Sequence, residues 1–145
     1  MIYLTRKVEF SAAHYYHNPR LSPEDNQRLF GKCTNPHGHN YVLEVTVAGE
    51  PDAKTGMVLN LSQLKQVLQR EVLDVFDHKF INHEVPALAG QIPTCENIAI
   101  AIWNLLTGKI PAGQLHCIRL YETPDLFVEY FGGQPRPSPS GEVRL

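Results

Sequence analysis

Residues 37–48 read HGHNYVLEVTVA, and the alternation within them decides the fold class. Tyr41, Leu43, Val45 and Val47 fall on one side of an extended chain; Val42, Glu44, Thr46 and Ala48 fall on the other. That period of two marks a strand with one face in a core. The strand is entered through His37-Gly38-His39, and residues at i and i+2 on extended backbone point to the same side. Two imidazoles on one side, with a glycine between them, can grip one metal ion. Toward the N-terminus, Val8 and Phe10 alternate with Lys7 and Glu9, so residues 3–12 form a first strand, ended by His14. Toward the C-terminus, GEPDAKTG at 49–56 is turn chemistry, and a short hairpin strand through Met57, Val58 and Leu59 is expected after it.

Beyond Asn60 the period changes. Leu61, Leu64, Leu68, Val72 and Val75 recur at three and four residues, which predicts an amphipathic helix. Asn60 is its N-cap, with Gln63 in the capping-box position. After the punctuation of Pro86, Gly90 and Pro93, Thr94 caps a second helix with Glu96 in its first turn. Ile98, Ala101, Ile102, Leu105 and Leu106 form its apolar stripe, and Gly108 stops it. Residues 115–122 and 126–131 predict two more strands about a turn at Thr123, Pro124 and Asp125. Residues 15–36 form a long excursion rich in Asn, Pro, Gly and charge, a length that in compact domains is functional or mobile. The tail QPRPSPSGEVRL at 134–145 has the composition of a disordered segment, which leaves one domain over 1–133. The whole reads as α+β: a mostly antiparallel sheet of four strands, with two helices. Two edges and one uncovered face predict an oligomer.

Bulk properties exclude several roles. The chain has 145 residues, 43% hydrophobic and 19% charged, with a net charge of −2. It therefore has no electrostatic footprint for nucleic acid or for an anionic membrane. The longest helix-like apolar pattern, residues 98–106, is too short to span a bilayer, and MIYLTRKVEF has no apolar signal region. The expected compartment is the cytosol. Three cysteines, Cys33, Cys95 and Cys117, do not make a disulfide framework.

The chemistry gathers around the paired histidines. Zinc takes three or four nitrogen or sulfur ligands. His14 ends the strand that should pair with the second and is the natural third ligand, while Cys33 is either a fourth ligand or a nearby reactive thiol. Each alone has an ordinary explanation, as a hydrogen-bonded histidine or an inert thiol. Asp77-His78 could be a proton-moving pair or a helix C-terminal cap. Glu122, ending an apolar strand beside Tyr121, could accept two bonds from a guanidine-like edge or simply be solvated. Thr94 and Glu96 are explained as cap and first-turn acid. Arg20, Arg28 and Lys32 could meet an anion or solvate the excursion.

FSAAH at 10–14, FGKC at 30–33, HGHNY at 37–41, TGMVLNL at 55–61, DHKFIN at 77–82, PTCENIA at 93–99 and YET at 121–123 together resemble the 6-pyruvoyltetrahydropterin synthase family. That family includes the 6-carboxytetrahydropterin synthases of queuosine biosynthesis. The resemblance runs in order from about residue 3 to 131. It implies a T-fold: a four-stranded antiparallel sheet with two helices on one face, trimers closed into barrels, and two trimers stacked as a hexamer with active sites at subunit interfaces. It implies 7,8-dihydroneopterin triphosphate as substrate and His14, His37 and His39 as Zn2+ ligands. Cys33 matches the catalytic thiol, Asp77 and His78 an acid–base pair supplied by a neighbouring subunit, Glu122 the pterin anchor, and Thr94 with Glu96 the lining of the pterin pocket. Three histidines leave zinc an open position, as catalytic sites do.

The spacing from Cys33 to His37 resembles the queuosine-pathway enzymes, whereas LSPEDNQRLFGKC and MVLNL resemble the 6-pyruvoyl branch. Because the spacing lies inside the active site, it favours 6-carboxy-5,6,7,8-tetrahydropterin as product, with 6-pyruvoyl-tetrahydropterin as the alternative. A third reading is a non-catalytic zinc module with Cys33 closing a Cys-His₃ site.

Overall fold

The computed structural model describes residues 1–138. Its frame is two long strands, β1 (Ile2–His14) and β2 (His37–Gly49), paired antiparallel from Ile2↔Gly49 to His14↔His37. β2 also pairs antiparallel with β4 (Gln114–Thr123), which pairs with β5 (Leu126–Tyr130). A two-residue strand, β3 (Lys79–Phe80), lies parallel to β1, giving the order β3-β1-β2-β4-β5. The fold is thus α+β with five strands rather than four. β3 is too short to carry a period, which is why alternation does not announce it.

The strand expected at Met57–Leu59 does not form. β2 already has β1 on one side and β4 on the other, so it has no free edge for a returning strand. Val58 and Leu59 instead turn into the core. The excursion at 15–36 is not structureless. It contains α1 (Pro23–Phe30) and a 3₁₀ turn, Gly31–Thr34. Ser22 caps α1 by accepting from the Asp25 N–H at 3.1 Å, and Pro23 occupies the first helical position. Buried Asn26 ties the approach together: its Oδ1 accepts from Asn18 N–H at 2.7 Å, and its Nδ2 donates to the carbonyls of Asn18 and Ser22.

Helix α2 (Leu61–Leu68) starts at Asn60, whose side chain accepts from the Ser62 and Gln63 N–H groups. A π turn at Gln69–Leu73 then leads into α3 (Asp74–Phe76). Leu64, Val67, Leu68, Val72 and Phe76 are buried, while Leu61 stays exposed. The wider turn slips the register, so Phe76 takes the place expected of Val75. α4 (Ile81–Glu84) follows β3, and α5 (Cys95–Leu106) starts at Thr94, whose hydroxyl accepts from Asn97 N–H at 3.1 Å. Both long helical segments pack on the face bearing Phe10, Tyr41, Leu43, Val45, Ile118 and Leu120. Among the described residues no helix is long and apolar enough to cross a membrane. Of the tail, residues 134–138 are described, with Arg136 paired to Glu129 at 3.3 Å; residues 139–145, and the disorder expected of them, lie outside the described residues.

Candidate metal centre

The β1–β2 register sets His14 directly opposite His37 and Ala12 opposite His39. Alternation then turns all three imidazoles to the helix-covered side. Gly38 permits the pairing to be close, since a Cβ there would sit 3.2 Å from the Ala12 carbonyl oxygen. The rings of His14, His37 and His39 lie with centroids 4.6–5.2 Å apart. Glu122, on the core side of β4 two residues after Leu120, joins them. One donor atom from each of these four residues lies within 4.8 Å of all the others.

Hydrogen bonding on the far side of the rings selects the tautomer. His14 Nδ1 donates to the Pro93 carbonyl at 2.8 Å, and His37 Nδ1 donates to the Asn35 carbonyl at 2.7 Å. A carbonyl can only accept, so each ring carries a proton on Nδ1, and in its neutral form leaves the Nε2 lone pair facing the cluster. Burial lowers the His14 pKa to about 4, with the neighbouring His37 and His39 adding to the effect. His39 is lowered mainly by burial as well, against the pull of Glu122. Both rings are thus neutral at pH 7, the form that binds metal.

The same nitrogens are otherwise unsatisfied. His14 Nε2 and His39 Nε2 are buried without a hydrogen bond. Glu122 Oε1 comes within 2.9 Å of His39 Nε2 and 3.9 Å of His14 Nε2, but the approach is out of line for a hydrogen bond. A buried nitrogen left without a partner costs about 1–3 kcal/mol. A cation at the convergence point would satisfy both and neutralise the carboxylate. Three imidazoles suit zinc among divalent ions, so the residues fit the metal, with the Glu122 carboxylate beside it.

Cys33 lies outside this donor set. It sits half-buried in the Gly31–Thr34 turn, and its carbonyl accepts from Tyr16 N–H at 2.8 Å, which stitches the turn to the end of β1. Glu122, not Cys33, is the fourth convergent donor, an arrangement unlike the closed Cys-His₃ module. Thr94 and Glu96 open α5 immediately after Pro93, whose carbonyl holds His14. Next to them Cys95 is buried, and its thiol is pushed up to about 12 by burial first and then by Glu122 and Glu96.

Asp77 and His78 are not brought into the metal cluster of their own chain. They lie past the β1 edge, where Asp77 Oδ1 accepts from Ser11 N–H at 2.9 Å and stands 3.0 Å from His78 Nδ1. The Ser11 N–H and then His78 hold the Asp77 carboxyl below its usual range. His78 has φ +61°, a region that costs a non-glycine residue on the order of 1–3 kcal/mol. Its N–H donates to the Ser11 carbonyl at 2.6 Å, and its side chain is 84% exposed. His78 borders a cavity of about 500 Å³ that is also lined by Ser11, Gly38, His39, Lys79 and Glu84. Arg28 is engaged by Asp25 at 2.8 Å. Arg20 lines a second cavity with His17 and Asn97 and has no ion pair among the described residues, while Lys32 is exposed in the Cys33 turn.

Two tyrosines escape a reading based on ligand types. Tyr41 continues the His37, His39 alternation, and its hydroxyl lies 3.3 Å from His14 Nδ1. Tyr16 follows His14 at i+2, with its ring 5.2 Å from that of His14. The signal for both is the same parity that groups the histidines.

An α+β sheet that turns three imidazoles and a carboxylate toward one point defines a candidate metalloenzyme. A sequence model of the family described as 6-pyruvoyl tetrahydropterin synthase matches residues 3–133. The 6-pyruvoyl tetrahydrobiopterin synthase of Homo sapiens is 44% identical over 131 residues, covering 89% of this chain and 90% of that one. The structure of the Caenorhabditis elegans 6-pyruvoyl tetrahydropterin synthase superimposes with a TM-score of 0.86 at 36% identity, covering 91% of this chain and 96% of that one. The chain belongs to the 6-pyruvoyl tetrahydropterin synthase family, and is an enzyme of the lyase type that the family comprises.

These relatives overturn the expectation of a 6-carboxy product. The 6-carboxy-5,6,7,8-tetrahydropterin synthase of Rickettsia felis is 35% identical, with 89% of this chain and 99% of that one covered, below the 44% of the 6-pyruvoyl enzyme. The Cys33–His37 spacing misleads for a physical reason. It is the length of a connector between a 3₁₀ turn and β2, whereas the histidines are placed by the β1–β2 register. The connector can change length without moving them.

Proposed function

We propose that this protein is a cytosolic, zinc-dependent lyase that converts 7,8-dihydroneopterin triphosphate to 6-pyruvoyl-tetrahydropterin with release of triphosphate. The observation that carries this reading is the pair of buried, unpartnered Nε2 atoms of His14 and His39, converging with His37 and Glu122. His14, His37 and His39 would hold zinc. When bound, the metal supplies Lewis acidity toward the hydroxyls of the substrate side chain. Glu122 accepts from the 2-amino and N3–H groups of the pterin, and the Thr94–Glu96 segment borders the ring. The Cys33 thiol, once deprotonated, takes the C1′ proton while ring N5 gains one. Loss of the C1′ hydroxyl proton with protonation of C6 then makes the ring tetrahydro and C1′ a ketone. Loss of the C2′ proton breaks the C3′–O bond, releasing triphosphate and an enol that ketonises at C2′. The Asp77–His78 pair moves protons on the opposite face of the substrate. Incubation of metal-loaded enzyme with 7,8-dihydroneopterin triphosphate, followed by mass spectrometry, should give a product that retains all three side-chain carbons. An unconsumed substrate would refute the reading.

Because Asp77–His78 stands away from the metal cluster of its own chain, the pair at each site would come from a neighbour. The exposed Leu126 and Phe127 on edge strand β5 provide apolar surface for such contacts. The active form is then a barrel of three chains, doubled into a hexamer. Analytical ultracentrifugation should show a species of six chains. A fully active monomer would rule this out.

Glu122→Gln should raise KM with little change in kcat and with zinc retained. The substitution keeps the shape but places an amide donor against the ring's donors. A charge-assisted bond contributes about 1.5–3 kcal/mol, so the loss is roughly tenfold to a hundredfold in KM. Ring recognition is alike in ground and transition states, so kcat is spared. Loss of zinc in this variant would instead make Glu122 a metal ligand.

A further inference from the structure

Tyr16 is held more firmly than any assigned role requires. Its ring stands edge-on to His14 at 5.2 Å and to His37 at 6.3 Å, and Phe30 meets it edge-on at 5.9 Å. Its backbone N–H donates to the carbonyl of Cys33. The side chain is therefore wedged between two of the metal histidines and the segment carrying the thiol. The hydroxyl, by contrast, has no hydrogen-bond partner among the described residues, although the residue is half-buried. Its ring neighbour His14 stands 3.9 Å from Glu122 Oε1, and its backbone is tied to the Cys33 turn. A phenolic hydroxyl left free in this way can donate to a ligand.

We infer that Tyr16 is a substrate-orienting residue whose hydroxyl donates a hydrogen bond to an oxygen of the side chain carried on the pterin ring. This rests on the function proposed above. Glu122 fixes the ring at one end, and the side chain must run from there past the metal histidines to the Cys33 thiol. Tyr16, packed on His14 and His37 and tied to the Cys33 turn, would border that path. A donor there turns the side chain so that its C–H bond faces the thiolate. Small errors in such alignment cost on the order of 10- to 100-fold in rate.

The test is Tyr16→Phe, which preserves the edge-on packing and removes only the hydroxyl. The zinc content and melting temperature should match wild type, while kcat falls roughly 10- to 100-fold. A binding measurement on the zinc-loaded protein separates orientation from general damage. Affinity for biopterin, which carries a dihydroxypropyl side chain, should fall roughly 3- to 10-fold, while affinity for unsubstituted pterin should not change. Wild-type kcat together with unchanged affinity for both ligands would overturn the inference. Equal losses for both ligands would also overturn it, since the hydroxyl would then serve the ring or the fold. If wild-type protein binds both pterins but does not consume the triphosphate substrate, the proposed reaction fails while the binding comparison still decides Tyr16. If it binds neither, both readings fall.

Discussion

His37→Ala is expected to lose zinc and turnover together. The Nδ1 of His37 is committed to the Asn35 carbonyl, so its Nε2 is the atom offered to the metal. Alanine leaves two imidazoles, and neither has another side chain to replace the lost donor except Glu122. Removing even an outer partner of a metal ligand typically costs 10- to 100-fold in affinity, so removing the ligand itself should cost at least about 100-fold. The fold should survive. His37 is only half-buried, and the β1–β2 backbone pairing on which it sits does not need its side chain. Elemental analysis of the purified variant provides the measurement. Full zinc occupancy would remove His37 from the ligand set.

Cys33→Ala should behave in the opposite way with respect to metal, while losing as much activity. The thiol is outside the four convergent donors, so zinc content should be unchanged. A general base contributes typically 10²- to 10⁴-fold, and kcat should fall within about that range. The 3₁₀ turn should persist, since its contacts run through backbone groups and Thr34: Tyr16 N–H to the Cys33 carbonyl, and the Thr34 hydroxyl to the Gly31 carbonyl at 2.9 Å. Loss of zinc in Cys33→Ala would favour the closed structural module. The two variants therefore form a pair: one separates metal from fold, the other separates chemistry from metal.

Parts of this arrangement are legible in the sequence because they depend on local periodicity. Alternation in HGHNYVLEVTVA places His37, His39 and Tyr41 on one side, and pairing with the preceding strand brings His14 to them. The leucine spacing after Asn60 and the Thr94 cap identify the two long helices. α1 has a local signal too, in Ser22-Pro23-Glu24-Asp25, but the polarity of the surrounding excursion hides it.

Other parts are decided only where distant segments meet. β3 has two residues and exists because Lys79 and Phe80 happen to reach the free edge of β1. The hairpin at Met57–Leu59 is denied by β4, which arrives from residue 114 onward to take the edge of β2. Glu122 approaches His39 from 83 positions further along the chain, through the β2–β4 register, and no spacing rule relates the two. The side of the sheet on which Asp77–His78 lies follows from the bonds that Ser11 makes to both residues. The sequence by itself determines which residues share a face, because backbone stereochemistry makes side-chain direction periodic. The tertiary structure decides which faces meet, because that depends on which strand edges are already occupied and on which buried groups must find partners.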